Sequence, residues 1–372
     1  MNPSFQAISE RAKIAIAHIR EFVFETDTDR RFVSHPTVAA CPRPNWPALA
    51  GLRFVLASIV LWVHWAVFFL PADPAKAIPS VGHVAVAAFF IVSGFSIRHS
   101  YMKQSAGFYR RRILRLLPVH TLCFLLSAIP FLIWGSRVPL SGLPVSAPEA
   151  NWTGITSVVL AAGMMNGLFG TLYVGFGVTW ALTVEVLLYL LVPVFAWLER
   201  RPGMLWAVIA GSAFLYWKWI DRLGGLGICG VGVMGWLWLL GWQFQRYGSK
   251  PIVRSVLLLA SPLVVLTHNP AFARVLGILV GTNILFCHMD DVRFSARINR
   301  VLLWLGDLSF PLYLVHIPVI TAFGAYRPSF LLAFGISVAF SIAILHADTA
   351  FRAWYGRKST AIAPPSEIAR AA

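Results

Sequence analysis

The sequence predicts an all-α polytopic membrane protein: a bundle of about ten transmembrane helices with both termini in the cytoplasm. Three observations carry this prediction. Of 372 residues, 58 % are apolar and 12 % charged, and mean hydropathy is +0.71, a composition foreign to soluble domains. The apolar residues fall in runs about as long as the ~20 residues that cross a ~30 Å hydrocarbon core. The cations sit in short segments between those runs, where they set orientation. The net charge of +16 therefore reports topology. Nucleic-acid binding would need a basic patch on a soluble surface, so no nucleic-acid partner is expected.

Residues 1–45 are polar and mixed in charge, without the features of a cleavable signal peptide. Within this expected cytoplasmic extension, Phe5, Ile8, Ile16, Ile19 and Val23 approximate one helical stripe. A surface-lying amphipathic helix and a plain solvated extension both fit. Spanning helices are expected at about 49–70, 81–99, 113–135, 178–198, 204–220, 226–246, 253–268, 272–288, 300–323 and 330–351. The membrane domain thus covers 46–352, and 353–372 form a cytoplasmic tail. The stretch 155–170 is also apolar, and fits either an eleventh span or a segment that dips in and returns. Charge separates the two. With 155–170 not spanning, inner segments hold 24 of the 31 Lys and Arg and outer segments six. A full span there would move 12 of the inner cations outside, against the positive-inside bias. No internal repeat is visible, which speaks against a transporter built from inverted halves. Cys41, Cys123, Cys229 and Cys287 are dispersed, without metal or redox spacing. They are small apolar packing residues, and no metal is expected.

The first run, Leu49 to Leu70, carries two cations. Arg53 and His64 are eleven positions apart, about three turns plus roughly 20°, so they share one helical face about 16 Å apart along the axis. With Arg53 at one membrane surface, His64 lies near the midplane, where an ionisable group points to a functional interior. Snorkelling of Arg53 and a hydrogen-bonded structural His64 are the plain alternatives.

Four further patterns follow along the chain. In the second run, Ser93-Gly94 is flanked by aromatics, and small residues there suit close helix packing. Arg112 and Arg115 lie three apart at the cytoplasmic mouth of the third helix and point the same way. They suit bidentate phosphate recognition, and equally a positive-inside stop. Glu185 is a carboxylate inside an apolar helix, with Tyr189 one turn on and Pro193 beyond. A buried carboxylate must pair or protonate, and His64 or Arg53 is its expected partner. In the ninth run, Tyr313 and His316 share a face toward the outer half of the bilayer, where they are candidate contacts to an acceptor.

Arg53-x10-His64, Phe89-Phe90-x-x-Ser93-Gly94-Phe95, Arg112-x-x-Arg115-x-x-Pro118, Trp180-x-Leu-x-x-Glu185-x-x-x-Tyr189-x-x-x-Pro193 and Ser309-x-x-x-Tyr313-x-x-His316 occur in that order. Together they resemble the membrane-bound acyltransferase-3 family, bacterial enzymes that O-acylate surface polysaccharides and related glycans. The resemblance spans roughly 46–352. It implies a bundle of about ten helices in the plasma (inner) membrane, fed by cytosolic acyl-CoA, commonly acetyl-CoA. It further implies an acceptor on the far side, an essential Arg53 and His64 pair, and CoA phosphates held by Arg112 and Arg115. The chain departs from the family pattern at Ala50, at Ala87 or Ala88, and in Glu185-Val-Leu-Leu-Tyr189, positions where many members carry additional acids or amides.

The expected function is therefore an acyltransferase, for groups other than amino-acyl groups, acting on a hydroxyl of an exopolysaccharide, lipid-linked sugar or related glycan. His64 is expected as general base or, alternatively, as acyl carrier. Glu185 is expected to orient it as a triad carboxylate does, with Ser93, Tyr189, Tyr313 and His316 contacting substrate. The rival from another class is a proton-coupled transporter or flippase for a glycolipid or small anion, with His64 and Glu185 as its proton path. A homo-oligomer is open.

Overall fold

A computed structural model of the protein describes residues 44–70, 78–134, 155–168, 173–201, 203–223, 228–247, 292–323 and 326–362. The described elements are all helical. In order they are α1 (Trp46–Phe69), α2 (Ile78–Lys103), α3 (Phe108–Leu126), α4 (Ile129–Trp134), α5 (Ile155–Ala162), a 3-10 segment (Val174–Thr179), α6 (Trp180–Leu190), α7 (Val192–Leu198), α8 (Met204–Leu223), α9 (Ile228–Tyr247), α10 (Ala296–Ala322) and α11 (Phe330–Ile362). Among the described residues five helices are long and apolar enough to cross a membrane, and six if the bent α6–α7 pair counts as one span. Helices α8 and α9 stand where two more spans are expected. The expected spans 253–268 and 272–288, the stripe in 1–43 and the end of the tail lie outside the described residues. The last helix runs to Ile362, well past the expected end at 351.

Local chemistry sets the helix boundaries. Asn45 caps α1 by accepting from the Ala48 amide at 3.2 Å, and Pro47 sits in the first turn. Ser295 caps α10 by accepting from the Ile298 amide at 3.3 Å. Between α6 and α7 the chain bends by 53° at Leu191. Pro193 cannot donate to the turn before it, which is the usual cause of such a break. Helix α5 has eight residues, so it rises only ~12 Å and cannot cross. Its chain then turns at Met164, which has φ 60. Buried Asn166 secures that turn, donating to the Phe176 carbonyl and to Thr179 Oγ1, both at 2.9 Å.

Two close helix contacts organise the bundle. Helix α1 lies along α10, where Gly306 faces Ala50 and Gly51 faces Leu302. A Cβ on Gly306 would stand 2.8 Å from Ala50 Cα, and one on Gly51 2.7 Å from Leu302 Cδ2. Helices α2 and α9 meet through backbone: a Cβ on Gly94 would stand 2.7 Å from the carbonyl carbon of Trp238, and one on Gly241 2.8 Å from that of Ile91. Lipid gives no hydrophobic drive for helices to associate, so dispersion at such close approach carries the packing. The outer faces are apolar, with Leu132, Ile155 and Leu331 strongly exposed, as a hydrocarbon solvent requires.

The cation-bearing helix ends gather on one side of the bundle. Glu199 receives Arg98 at 2.5 Å, Arg246 at 3.2 Å and the Trp242 indole at 2.8 Å. Asn45 donates to the Val292 carbonyl, and Arg110 reaches Tyr355. At the opposite end Trp65 donates to the Pro328 carbonyl at 3.0 Å.

Replacing Gly94 or Gly241 by leucine forces α2 and α9 apart. Overpacking of this kind costs about 1–3 kcal/mol or more, so the detergent-solubilised protein should melt earlier. An unchanged melting temperature would show that the two backbones do not touch.

Candidate active site

A cavity of about 470 Å³ opens among α1, α2, α3, α6, α10 and α11. It gathers residues that are far apart in the chain: Arg53, Ser93, Arg112, Arg115, Glu185, Tyr189, Asp307, Tyr313, Asp348 and Arg352 all line it. Seven of the nine sequence-predicted site residues are thus brought to one chamber. The other two, His64 and His316, are not in its wall.

The arginines are the chamber's main electrostatic feature. Among the described residues neither Arg53 nor Arg112 has a carboxylate within ion-pair distance, and the buried Nε of each has no protein partner. Arg112 instead lies over the Phe108 ring at 5.5 Å. Arg115, one turn on, is exposed at the mouth. Arg352 is the exception, being paired to Asp348 at 2.6 Å. Unpaired guanidiniums around a partly enclosed space favour an anionic ligand, since desolvation without a counter-charge is costly.

Glu185 does not take the partners expected of it. Its Oε1 accepts from Ser93 Oγ at 2.5 Å and from the Tyr189 hydroxyl. Glu185 and Tyr189 are one helical turn apart, and Ser93 reaches them across the α2–α6 contact. The carboxylate is satisfied by hydroxyls, so it neither orients His64 nor pairs with Arg53.

The side chain that His64 does meet is His316. Nδ1 of His64 lies 2.8 Å from the Val60 carbonyl and 3.2 Å from Nε2 of His316. Nδ1 of His316 lies 3.3 Å from the Leu312 carbonyl. A carbonyl only accepts, so these contacts assign the proton to Nδ1 in both rings. Nε2 of His316 then accepts from His64, and Nε2 of His64 keeps its lone pair. His316 is fully buried and touches His64.

Arg53 and His64 do not share one open tunnel. Phe89 and Tyr313, whose rings meet edge to face at 5.9 Å, line the chamber, and His64 does not. Behind Tyr313 stands His316, its ring centre 6.1 Å away, and then His64 at 5.0 Å. The Tyr313 hydroxyl donates to the Val178 carbonyl at 2.7 Å, which pins the ring to the 3-10 segment. Of these two residues on one helix only Arg53 lines the chamber, a difference that helical periodicity alone does not register.

Sequence reasoning also passed over Asp348 and Arg352 as site residues. The signal was present: an Asp–Arg pair at i, i+4, on one helical face near a cation-rich end. Cys123 is fully buried, as expected of a packing residue.

The structure is thus a multi-helix membrane protein with a cation-lined chamber and, outside its wall, a pair of hydrogen-bonded imidazoles. The chain belongs to the acyltransferase-3 family: the match to that family's acyltransferase domain covers residues 46–346. Among curated proteins it is similar to the acyltransferase MdmB of Streptomyces mycarofaciens, with 28 % identity over 314 residues, covering 74 % of this chain and 79 % of the relative. No solved structure matches the chain. The family membership makes it an enzyme and disfavours the transporter alternative.

If Phe89 closes the chamber, a cysteine in place of His64 should react slowly with a thiol reagent added from the cavity's open side. Adding Phe89→Ala should raise that rate by an order of magnitude or more. Equal rates would show that the ring does not obstruct the path.

Proposed function

We propose that this acyltransferase moves an acyl group, acetyl being the first to test, from cytosolic acyl-CoA to a hydroxyl of a glycan or lipid-linked sugar presented from the opposite side of the plasma (inner) membrane. The observation that carries this is the chamber itself, with unpaired Arg53 and Arg112 and exposed Arg115 at one end and the His64–His316 pair beyond the other. The cation-rich end would face the cytoplasm, as the positive-inside bias requires. The phosphates of CoA would rest on Arg112 and Arg115, because a charged nucleotide cannot enter hydrocarbon. The neutral pantetheine arm would extend past Arg53 toward Tyr313.

Catalysis then requires Phe89 and Tyr313 to part. The acceptor oxygen attacks the thioester carbonyl while Nε2 of His64 takes its proton. The tetrahedral adduct collapses with cleavage of the C–S bond, and the departing CoA thiolate recovers the proton. During the step the imidazolium of His64 would be held through Nδ1–H by the Val60 carbonyl and by His316 Nε2. A neutral imidazole would thus serve in the place a triad gives to a carboxylate. Arg53 would sit close to the thioester arm, as a cation for the developing negative charge. Glu185, engaged by Ser93 and Tyr189, would shape the chamber wall between them.

His64→Ala should abolish acyl transfer while the purified protein melts normally. Near-normal turnover would defeat the general-base assignment. Arg112→Ala together with Arg115→Ala should raise KM for acetyl-CoA severalfold with kcat largely kept. An unchanged KM would return both residues to a purely topological role. Mass analysis of surface glycans from host cells with and without the gene tests the acceptor class directly.

A further inference from the structure

We propose that Arg352, held in place by Asp348, is a third phosphate-binding arginine at the chamber mouth, supplied by the last helix. The inference rests on acyl-CoA being the donor. It adds a residue lying outside the matched domain, which ends at residue 346.

Four observations on α11 and α3 converge on it. Asp348, Thr349 and Arg352 line the same chamber as Arg112 and Arg115. Asp348 is buried and holds Arg352 by two contacts, Nε to Oδ1 at 3.0 Å and Nη2 to Oδ2 at 2.6 Å. Nη2 also approaches the Arg115 carbonyl at 3.5 Å, tying α11 to α3 at the mouth. Among the described residues Nη1 has no protein partner, so one edge of the fork is free.

This geometry presents a phosphate site. A guanidinium gripped along one edge by a carboxylate is held in a single orientation, which removes most of the ordering cost of binding. Arg352 lines the same chamber as Arg115 and Arg112, which offer further cations beside it. Three guanidiniums from two helices match a donor carrying a diphosphate and a separate ribose phosphate better than two from one helix. Asp348 itself makes no phosphate contact. It is a positioning residue, and its carboxylate also keeps Arg352 from being an isolated charge when no donor is bound.

The test uses the full chain in nanodiscs with two donors, acetyl-CoA and acetyl-pantetheine, the second lacking every phosphate. Arg352→Ala should raise KM for acetyl-CoA about tenfold, the scale of one lost charge-assisted contact, with kcat kept and acetyl-pantetheine turnover unchanged. Arg352→Lys should recover part of the loss. Asp348→Asn, which keeps the arginine but loosens its grip, should fall between the two on acetyl-CoA and match wild type on acetyl-pantetheine. It carries the test if Arg352→Ala does not fold. Equal losses on both donors, or an unchanged KM, would overturn the role of Arg352 alone. A wild-type enzyme with no preference for acetyl-CoA over acetyl-pantetheine would overturn the donor assignment, and this proposal with it.

Discussion

The close contact between α1 and α10 is the constraint on which the site depends. Gly306 lets Ala50 approach to a distance that a side chain would forbid, and Gly51 does the same for Leu302. That approach sets the register of the two helices. It brings His316, about three turns beyond Gly306, against His64, about four turns beyond Ala50, and sets Tyr313 in the chamber wall. A membrane protein cannot rely on water to press its helices together, so small residues at the crossing determine what the rest of each helix can touch.

The chamber and the histidine pair obey opposite electrostatic rules. At the mouth, Arg53 and Arg112 face a partly open space with no carboxylate at ion-pair distance among the described residues and with their Nε atoms unbonded, a state that favours an incoming anion. Deeper in, two imidazoles share hydrogen bonds with carbonyls and with each other, while within the chamber the Glu185 carboxylate accepts from two hydroxyls. Phe89 and Tyr313 lie between the two regimes. Such a partition suits chemistry on a molecule with a charged head and a neutral reactive arm.

Elsewhere, buried polar groups are bound into structural ties. Glu199 holds Arg98, Arg246 and Trp242 at the cation-rich end, linking α2, α7 and α9. Asn166 fastens the turn after α5 to the 3-10 segment, from which Val178 receives the Tyr313 hydroxyl. The short α5 segment thereby supports the ring that closes the chamber, although it cannot cross the membrane itself.

Composition and run length determined, from the sequence alone, that the chain is a helical membrane protein, because hydrocarbon imposes its length and polarity on every crossing segment. The motif spacing marked the family and seven of the polar residues that line the chamber, since i, i+3 and i, i+4 positions share a helix face whatever the helix packs against. Partnership across helices was beyond its reach. Arg53 and His64 share one helix yet only Arg53 lines the chamber, Glu185 is satisfied by Ser93 and Tyr189, and His316 stands beside His64. Helix periodicity says which way a side chain points; only the crossing geometry of the bundle, set by backbone approach at a few glycines, decided what it meets.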